Sequence, residues 1–253
     1  MASGIRYFVG NWKMFGISSS YKILENVNKF FKRDKKNKKK YKIIIAPPFT
    51  LLQDFYKRFK NKDINISAQN CYHKDNFGAF TGNISPFMIK QIGIKYIIIG
   101  HSENRIDGDT NKIIREKIIV ALKNNLKIIL CIGENKKEKK LRKTLKVLKN
   151  QISQVIKKRD DFKNITIAYE PIWSIGSGIL PSTIELQKNI IILKKFLKHK
   201  YRLNYNPKLL YGGSVDKNSI KNFRSISELD GFLIGGASKS SKNFIDIIKN
   251  FYK

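Results

Sequence analysis

Ile165-Thr166-Ile167-Ala168-Tyr169-Glu170-Pro171 is the stretch on which the fold turns. Its first five residues form a short apolar, β-branched run, which reads as a strand buried on both faces, as in parallel sheets. A carboxylate and a residue of fixed φ then close it. Runs of the same kind recur at Ile5–Gly10, Lys42–Ala46, Ile64–Ala68, Tyr96–Gly100, Lys127–Ile132, Lys208–Gly212 and Gly231–Gly235. Amphipathic segments separate them, at about 19–33, 50–60, 85–92, 110–124, 137–158, 183–204, 217–225 and 240–251. Ser18, Thr50, Ser85, Asp109, Ser182 and Asp216 are candidate N-caps. The 253 residues allow about 32 per strand–helix unit, the size of a βαβ element. No Pro-, Gly- or Ser-rich linker divides the chain, so the expectation is one domain over residues 1–253. Its fold class is α/β, a parallel eight-stranded sheet closed into a (β/α)8 barrel. Pattern alone leaves a doubly wound open sheet as the alternative.

Composition narrows the function classes. A hydrophobic fraction of 42% with 11% aromatics excludes disordered, collagen-like and low-complexity chains. Lys and Arg number 51 against 19 Asp and Glu, a formal charge of +32, which raises a polyanion, nucleic-acid or anionic-membrane binder as the rival reading. The basic residues are mostly Lys, interleaved with Ile and Asn along nearly the whole chain, as compositional drift in an AT-rich genome would give. A phosphate-tracking groove more often shows Arg clustered beside aromatics. Residues 32–40, nearly all basic, read as a polyanion patch or as a solvated turn. No apolar stretch approaches the ~18 residues that span a bilayer, and Met1–Gly10 lacks the form of a secretory signal. The expected location is the cytoplasm. Cys71 and Cys131 could form one disulfide or stand as two buried thiols, and no metal-ligand spacing occurs. Residues 69–84 carry neither helical nor strand pattern, and a connection that long is usually functional or an interface.

Reactive residue types collect where the apolar runs end. Asn11 and Lys13 follow the first, His101 and Glu103 the fourth; Glu170 closes the sixth, Ser214 follows the seventh, and Gly235 and Gly236 the eighth. In a parallel barrel these ends open on one face, where such enzymes place their chemistry. Gly176-Ser177-Gly178, Tyr211-Gly212-Gly213-Ser214 and Gly235-Gly236-Ala237-Ser238 suggest an anion site, since glycines let backbone N–H groups approach an oxyanion. Glu170 can abstract a proton once closure removes water. His101 precedes a short helical turn, where an imidazole is disfavoured as a cation and would donate a hydrogen bond in its neutral form.

At these residues the chain resembles the triosephosphate isomerase family, almost end to end. The resemblance rests on Gly10-Asn11-Trp12-Lys13-Met14, Ala68-Gln69-Asn70, Gly78-Ala79-Phe80-Thr81-Gly82, Gly100-His101-Ser102-Glu103 and Cys131-Ile132-Gly133-Glu134. It continues through Ala168-Tyr169-Glu170-Pro171-Ile172-Trp173, Ile175-Gly176-Ser177-Gly178, Tyr211-Gly212-Gly213-Ser214-Val215 and Gly231-Phe232-Leu233-Ile234-Gly235-Gly236-Ala237-Ser238. It implies a barrel that isomerises dihydroxyacetone phosphate and glyceraldehyde 3-phosphate with neither metal nor organic cofactor. Carried over by residue, it implies Glu170 as base, neutral His101 as the group polarising the enediolate oxygens, and Lys13 as its electrostatic stabiliser. Asn11 would place Lys13's target, and Glu103 would be an auxiliary acid. Backbone N–H groups of Gly176, Ser214, Gly235 and Gly236 would hold the phosphate. Pro171, Ile172, Trp173, Ser174, Ile175, Ser177 and Gly178 would belong to a lid over residues 171–182, with Glu134 and Trp173 helping to hold it open. The resemblance also implies a homodimer, in which the 69–84 loop brings Thr81 near the partner's Asn11 and Lys13, and no specific nucleic-acid or membrane partner.

Three departures stand out. The family usually carries Glu and Arg where this chain has Asn83 and Asn104, and the joint loss of an acid and a base is what a pair across the interface would produce. The far hinge of the lid, usually Lys-Thr-Ala, is here Ile179-Leu180-Pro181, and Pro181 offers no N–H. The helix after Glu134 is Lys-rich and lacks the family's acidic and glycine pattern.

Overall fold

Parallel pairing in strict chain order, with the first strand also pairing the last, closes eight strands into a barrel. The structure, a computed structural model, describes residues 4–158 and 160–253; Met1–Ser3 of the segment read for a signal lie outside them. The strands are β1 (Arg6–Asn11), β2 (Tyr41–Ala46), β3 (Ile64–Ala68), β4 (Tyr96–Ile99), β5 (Lys127–Ile132), β6 (Ile165–Tyr169), β7 (Leu209–Gly212) and β8 (Gly231–Ile234). Five of them start or stop one residue from the expected bounds, and the sixth, β6, and two others match at both ends.

Alternation explains why these runs are apolar throughout. Ile43 and Ile45 face the helices, while Ile44 and Ala46 face the barrel interior; Ile97 and Ile99 are set against Ile98 in the same way. Both faces are dry, so neither can be polar, and each Ile buried this way contributes roughly 1.5–3 kcal/mol. Outside lie α1 (Tyr21–Arg33), α2 (Phe49–Phe59), α3 (Pro86–Ile92), α4 (Ser102–Ile106), α5 (Asn111–Lys123), α6 (Lys136–Lys140), α7 (Thr144–Val155), α8 (Thr183–Tyr201) and α9 (Ser241–Tyr252). In α1, for example, Leu24, Val27 and Phe31 form the buried stripe.

Several sequence expectations need correction. The segment 137–158 is two helices, α6 and α7, because Arg142 takes φ 56° between them and no helix continues through that conformation. The segment 217–225 holds only a five-residue 3-10 turn, Ser219–Phe223. Ser85 and Ser182 cap α3 and α8 as expected, accepting from Met88 and Glu185. Ser18 and Thr50 cap nothing: Ser18 opens a 3-10 turn and Thr50 lies inside α2. Thr110, not Asp109, caps α5, because the Asp109 carboxylate is taken by Lys117 at 2.6 Å. The Asp216 carboxylate accepts from the backbone of Asn218 and Ser219, but the N-cap of that turn is Asn218, not Asp216. Gly235 and Gly236 lead into a 3-10 turn, and α9 begins only at Ser241. Residues 69–84 contain no helix or strand. Both cysteines are free and buried, the second of the two readings; burial pushes the Cys71 thiol up to about 12 and the Cys131 thiol well above its ordinary value.

Candidate active site

All eight strands end on one mouth, and there Asn11, Lys13, His101 and Glu170 share a cavity of about 320 Å³ with Gly176, Ser214, Gly235 and Gly236. Lys13 is the only cation among the described residues that line it. Residues from β1, β4, β6, β7 and β8 thus converge, though more than two hundred positions separate the first from the last.

Lys13 stands in a conformation few non-glycine residues adopt, with φ 56°. Three contacts hold it there: its N–H donates to Asn11 Oδ1 at 3.1 Å, its carbonyl accepts from Gln69 Nε2 at 3.0 Å, and its ammonium reaches Glu103 Oε1 at 2.6 Å. A second bond from Gln69, to the carbonyl of Ala46 at 2.8 Å, ties this turn to the end of β2. Glu103 itself is exposed and does not line the cavity.

His101 sits at the start of α4, buried, and its Nδ1 accepts the backbone N–H of Glu103 at 3.2 Å. A ring nitrogen that accepts carries no proton, so the hydrogen-bond pattern assigns the neutral tautomer with N–H at Nε2. That N–H faces Glu170 Oε1 at 3.7 Å, too long for a hydrogen bond and open to an intervening oxygen. Arg105 braces the same corner from beneath, donating to the carbonyls of Gly100 and Cys131 at 2.8 and 3.2 Å.

Glu170 is buried, and its Oε2 has no hydrogen-bond partner. Its place depends on two positions without side chains. A Cβ on Gly212 would stand 2.6 Å from Glu170 Cγ and 2.8 Å from Oε1, and one on Gly133 would strike the Glu170 carbonyl. A desolvated carboxylate with one idle oxygen, facing a neutral N–H donor and a lysine, is equipped to move a proton and to stabilise the oxyanion that results.

The end of the cavity where the resemblance expects the phosphate is built on backbone. The N–H groups of Gly176 and Ser214 make no hydrogen bond within the described residues and line the cavity wall. Trp12 Nε1 donates to the Ser238 carbonyl at 3.0 Å and so ties the Gly235–Ser238 segment to the end of β1. Of the residues expected in a lid, Ile175, Gly176 and Gly178 face the cavity, whereas Pro171 and Ser174 are buried beneath it and Ile172–Ser174 form a 3-10 turn. The 171–182 segment is pinned at both sides: Trp173 Nε1 donates to Glu134 Oε1 at 2.9 Å, and Gly178 N donates to Ser214 Oγ at 3.0 Å. The Tyr211 hydroxyl meets Ser174 Oγ at 3.1 Å, and Ser174 Oγ donates on to the Ile179 carbonyl at 2.6 Å. Thr81 is exposed at the tip of the 69–84 loop, outside its own chain's cavity. No group of three or more His, Cys, Asp and Glu side chains among the described residues is placed to hold a metal ion. Gln69, Arg105 and Gly212 are the contributors that motif reading quoted or passed over without giving them a role.

Comparison with known proteins agrees with this geometry. The family model described as "Triosephosphate isomerase" matches residues 6–251. A triosephosphate isomerase of Buchnera aphidicola subsp. Schizaphis graminum is 40% identical over 253 residues, covering 96% of each chain. That of Yarrowia lipolytica is 38% identical over 248 residues, covering 96% of this chain and 98% of its own. The crystal structure of triosephosphate isomerase from Bartonella henselae superposes with a TM-score of 0.84 at 31% identity, over 98% of this chain and 99% of the other.

Proposed function

The chain belongs to the triosephosphate isomerase family, and on that premise we propose how its own residues carry the reaction. The reaction interconverts dihydroxyacetone phosphate and D-glyceraldehyde 3-phosphate, a step of glycolysis. Glu170 takes the proton from one carbon and returns it to the next. Its idle Oε2 supports this role, because a carboxylate already saturated with hydrogen bonds would be a poor base. His101 donates from Nε2 to the substrate oxygens in turn, and its neutral state, fixed by the Glu103 N–H on Nδ1, lets it give a proton without first gaining one. Lys13 places a positive charge beside the developing enediolate, its backbone held by Asn11 and Gln69. The N–H groups of Gly176, Ser214, Gly235 and Gly236 take the phosphate, and the 171–182 lid keeps water from the intermediate.

Glu103 holds the Lys13 ammonium and acts through it. The active form is a homodimer, supported by apolar side chains left exposed on two neighbouring loops: Met14 and Ile17 after β1, and Phe77 and Phe80 in the 69–84 loop. In that dimer Thr81 of one protomer backs Asn11 and Lys13 of the other. Among the described residues no helix is long and apolar enough to cross a membrane, and the place of the reaction in glycolysis supports the cytoplasm as its location.

The single observation that carries the residue roles is Glu170's unpartnered oxygen beneath a neutral imidazole. A coupled assay of Glu170→Gln tests it. The amide keeps the shape and loses the base, so kcat is expected to fall by about 10³ with KM little changed. Equal rates for the two proteins would refute the assignment.

A further inference from the structure

The opposite mouth of the barrel, where the strands begin, carries a charge arrangement that isomerisation does not use. Side chains alternate along each strand, so the residue two before an inward-facing one faces inward as well. Ile44, Ile129 and Leu210 belong to the barrel interior, as do Tyr7 and Tyr96. Lys42, Lys127 and Lys208 therefore project into the N-terminal mouth, in one layer with the two tyrosines; the register pairs Tyr7 with Lys42 and Tyr96 with Lys127.

Contacts agree with that placement. Lys42 Nζ and Lys208 Nζ both stand over the Tyr7 ring, at 6.0 and 4.8 Å from its centre, and Lys208 also donates to the Tyr7 hydroxyl at 2.7 Å. Lys127 Nζ stands over Tyr96 at 5.8 Å. No carboxylate among the described residues pairs with any of the three. Asp230, whose carbonyl accepts the Tyr7 N–H at 2.8 Å, has its carboxylate already engaged by Lys194 at 2.8 Å and by the Leu209 N–H. The Tyr96 hydroxyl has no partner among the described residues, and burial with Tyr7 alongside pushes it up to about 12, so it stays a neutral donor. Beside this layer, at the start of β3, Lys60, Lys62 and Lys95 line a mostly polar cavity of about 180 Å³.

Lys42 and Lys208 share the Tyr7 ring and repel one another, Lys127 adds a third charge over Tyr96 in the same layer, and no carboxylate among the described residues offsets them. Lys127 and Lys208 are exposed and Lys42 half-buried, so their charges meet solvent while their ammoniums stay over the two buried rings. We propose that the N-terminal mouth is a binding site for a compact oligophosphate, held by Lys42, Lys127 and Lys208 with the Tyr96 hydroxyl as an added donor. Only a ligand with several adjacent anionic groups meets all three ammoniums at once. Tyr7 and Tyr96 are 9% and 7% exposed, which leaves no open aromatic face for a base to stack on. The site therefore reads a phosphate chain alone, whether free or as the tail of a nucleotide, and it is independent of the isomerase reading.

Titration calorimetry with sodium tripolyphosphate tests the site on the wild type and two triple variants of equal charge loss. Lys42→Gln/Lys127→Gln/Lys208→Gln is expected to weaken binding by at least about tenfold. Lys35→Gln/Lys36→Gln/Lys39→Gln, in the basic turn between α1 and β2, is expected to bind as the wild type does. ATP is expected to bind as tripolyphosphate does, and both triple variants to keep wild-type isomerase kcat/KM. Should the mouth variant not fold, Lys208→Gln and Lys127→Gln singly are each expected to weaken binding by about threefold. Equal losses in the two triple variants would reduce the effect to net charge and overturn the site, as would no binding by the wild type. Competitive inhibition that survives in the mouth variant would place the ligand in the catalytic cavity and overturn it too, and ATP binding more than about tenfold tighter would overturn recognition of the phosphate chain alone.

Discussion

At the residue scale, the role proposed for Glu170 depends on clearances of a few tenths of an ångström around it. Gly212 contributes by having no side chain: a methyl there would meet Glu170 Cγ at 2.6 Å and Oε1 at 2.8 Å. Gly212→Ala is therefore expected to displace the carboxylate and to lower kcat by about 100-fold, because a shift near 1 Å in a reacting group costs that much. The coupled assay measures it, with circular dichroism to show that the barrel still forms; an unchanged kcat would mean that Glu170 does not depend on this clearance. The residues with reactive groups, Asn11, Lys13, His101 and Glu170, were legible in the sequence because each follows a recognisable strand end. Gln69 and Arg105 were not. Their contribution lies in which carbonyls they reach, and Gln69 finds that of Lys13 from 56 positions away, a relation that only the closed barrel creates.

The 171–182 segment proposed as a lid and the strand ends beneath it depend, at the element scale, on one buried acid. Glu134 Oε1 accepts from Trp173 and from the Tyr169 hydroxyl, at 2.9 and 3.2 Å, while its Oε2 is buried without a partner. Burial raises its pKa above the ordinary carboxylate value, and the bonds from Trp173 and Tyr169 offset this only in part. Since the folded-state value is the higher one, the folded chain holds this proton more tightly than the unfolded chain. The resulting stabilisation is complete below the ordinary Glu value and is lost as pH rises through the raised one. Denaturant unfolding from about pH 4 to about pH 8 is expected to show that decline, and Glu134→Gln to flatten it while its amide oxygen keeps both accepted bonds. Parallel curves for the two proteins would contradict the assignment. Elements were legible wherever apolar period and cap agreed, as at α3 and α8 with Ser85 and Ser182. Legibility failed at 137–158, where the Lys-rich pattern runs through Arg142 without a break and only the backbone turn at φ 56° divides it. It failed also at α5, where Asp109 looked the better cap until its carboxylate was claimed by Lys117.

At the scale of the whole molecule, the formal charge of +32 acts on association in two opposite senses. It draws a phosphorylated substrate toward a mouth whose only lining cation among the described residues is Lys13. It also sets two copies of the chain against each other, and the face proposed to join them carries Asn83 and Asn104 where the resemblance implies an acid and a base, proposed to pair across it. What remains for that face is apolar: Met14 is 99% exposed and Phe77 78%. Salt screens the repulsion within about 10 Å at 0.1 M and leaves apolar burial intact. The dimer is therefore expected to tighten as salt rises, the reverse of an interface joined by ion pairs. Gel filtration over a concentration series at low and at moderate salt reads this directly, and the dimer fraction at the lowest concentration is expected to grow with salt. Asn83→Glu combined with Asn104→Arg is expected to restore a pair across the interface, to raise the dimer fraction at low salt, and to shrink the salt dependence. A dimer that loosens as salt rises would overturn the apolar account, and a dimer structure that sets the two asparagines far apart would remove the reason for their joint appearance.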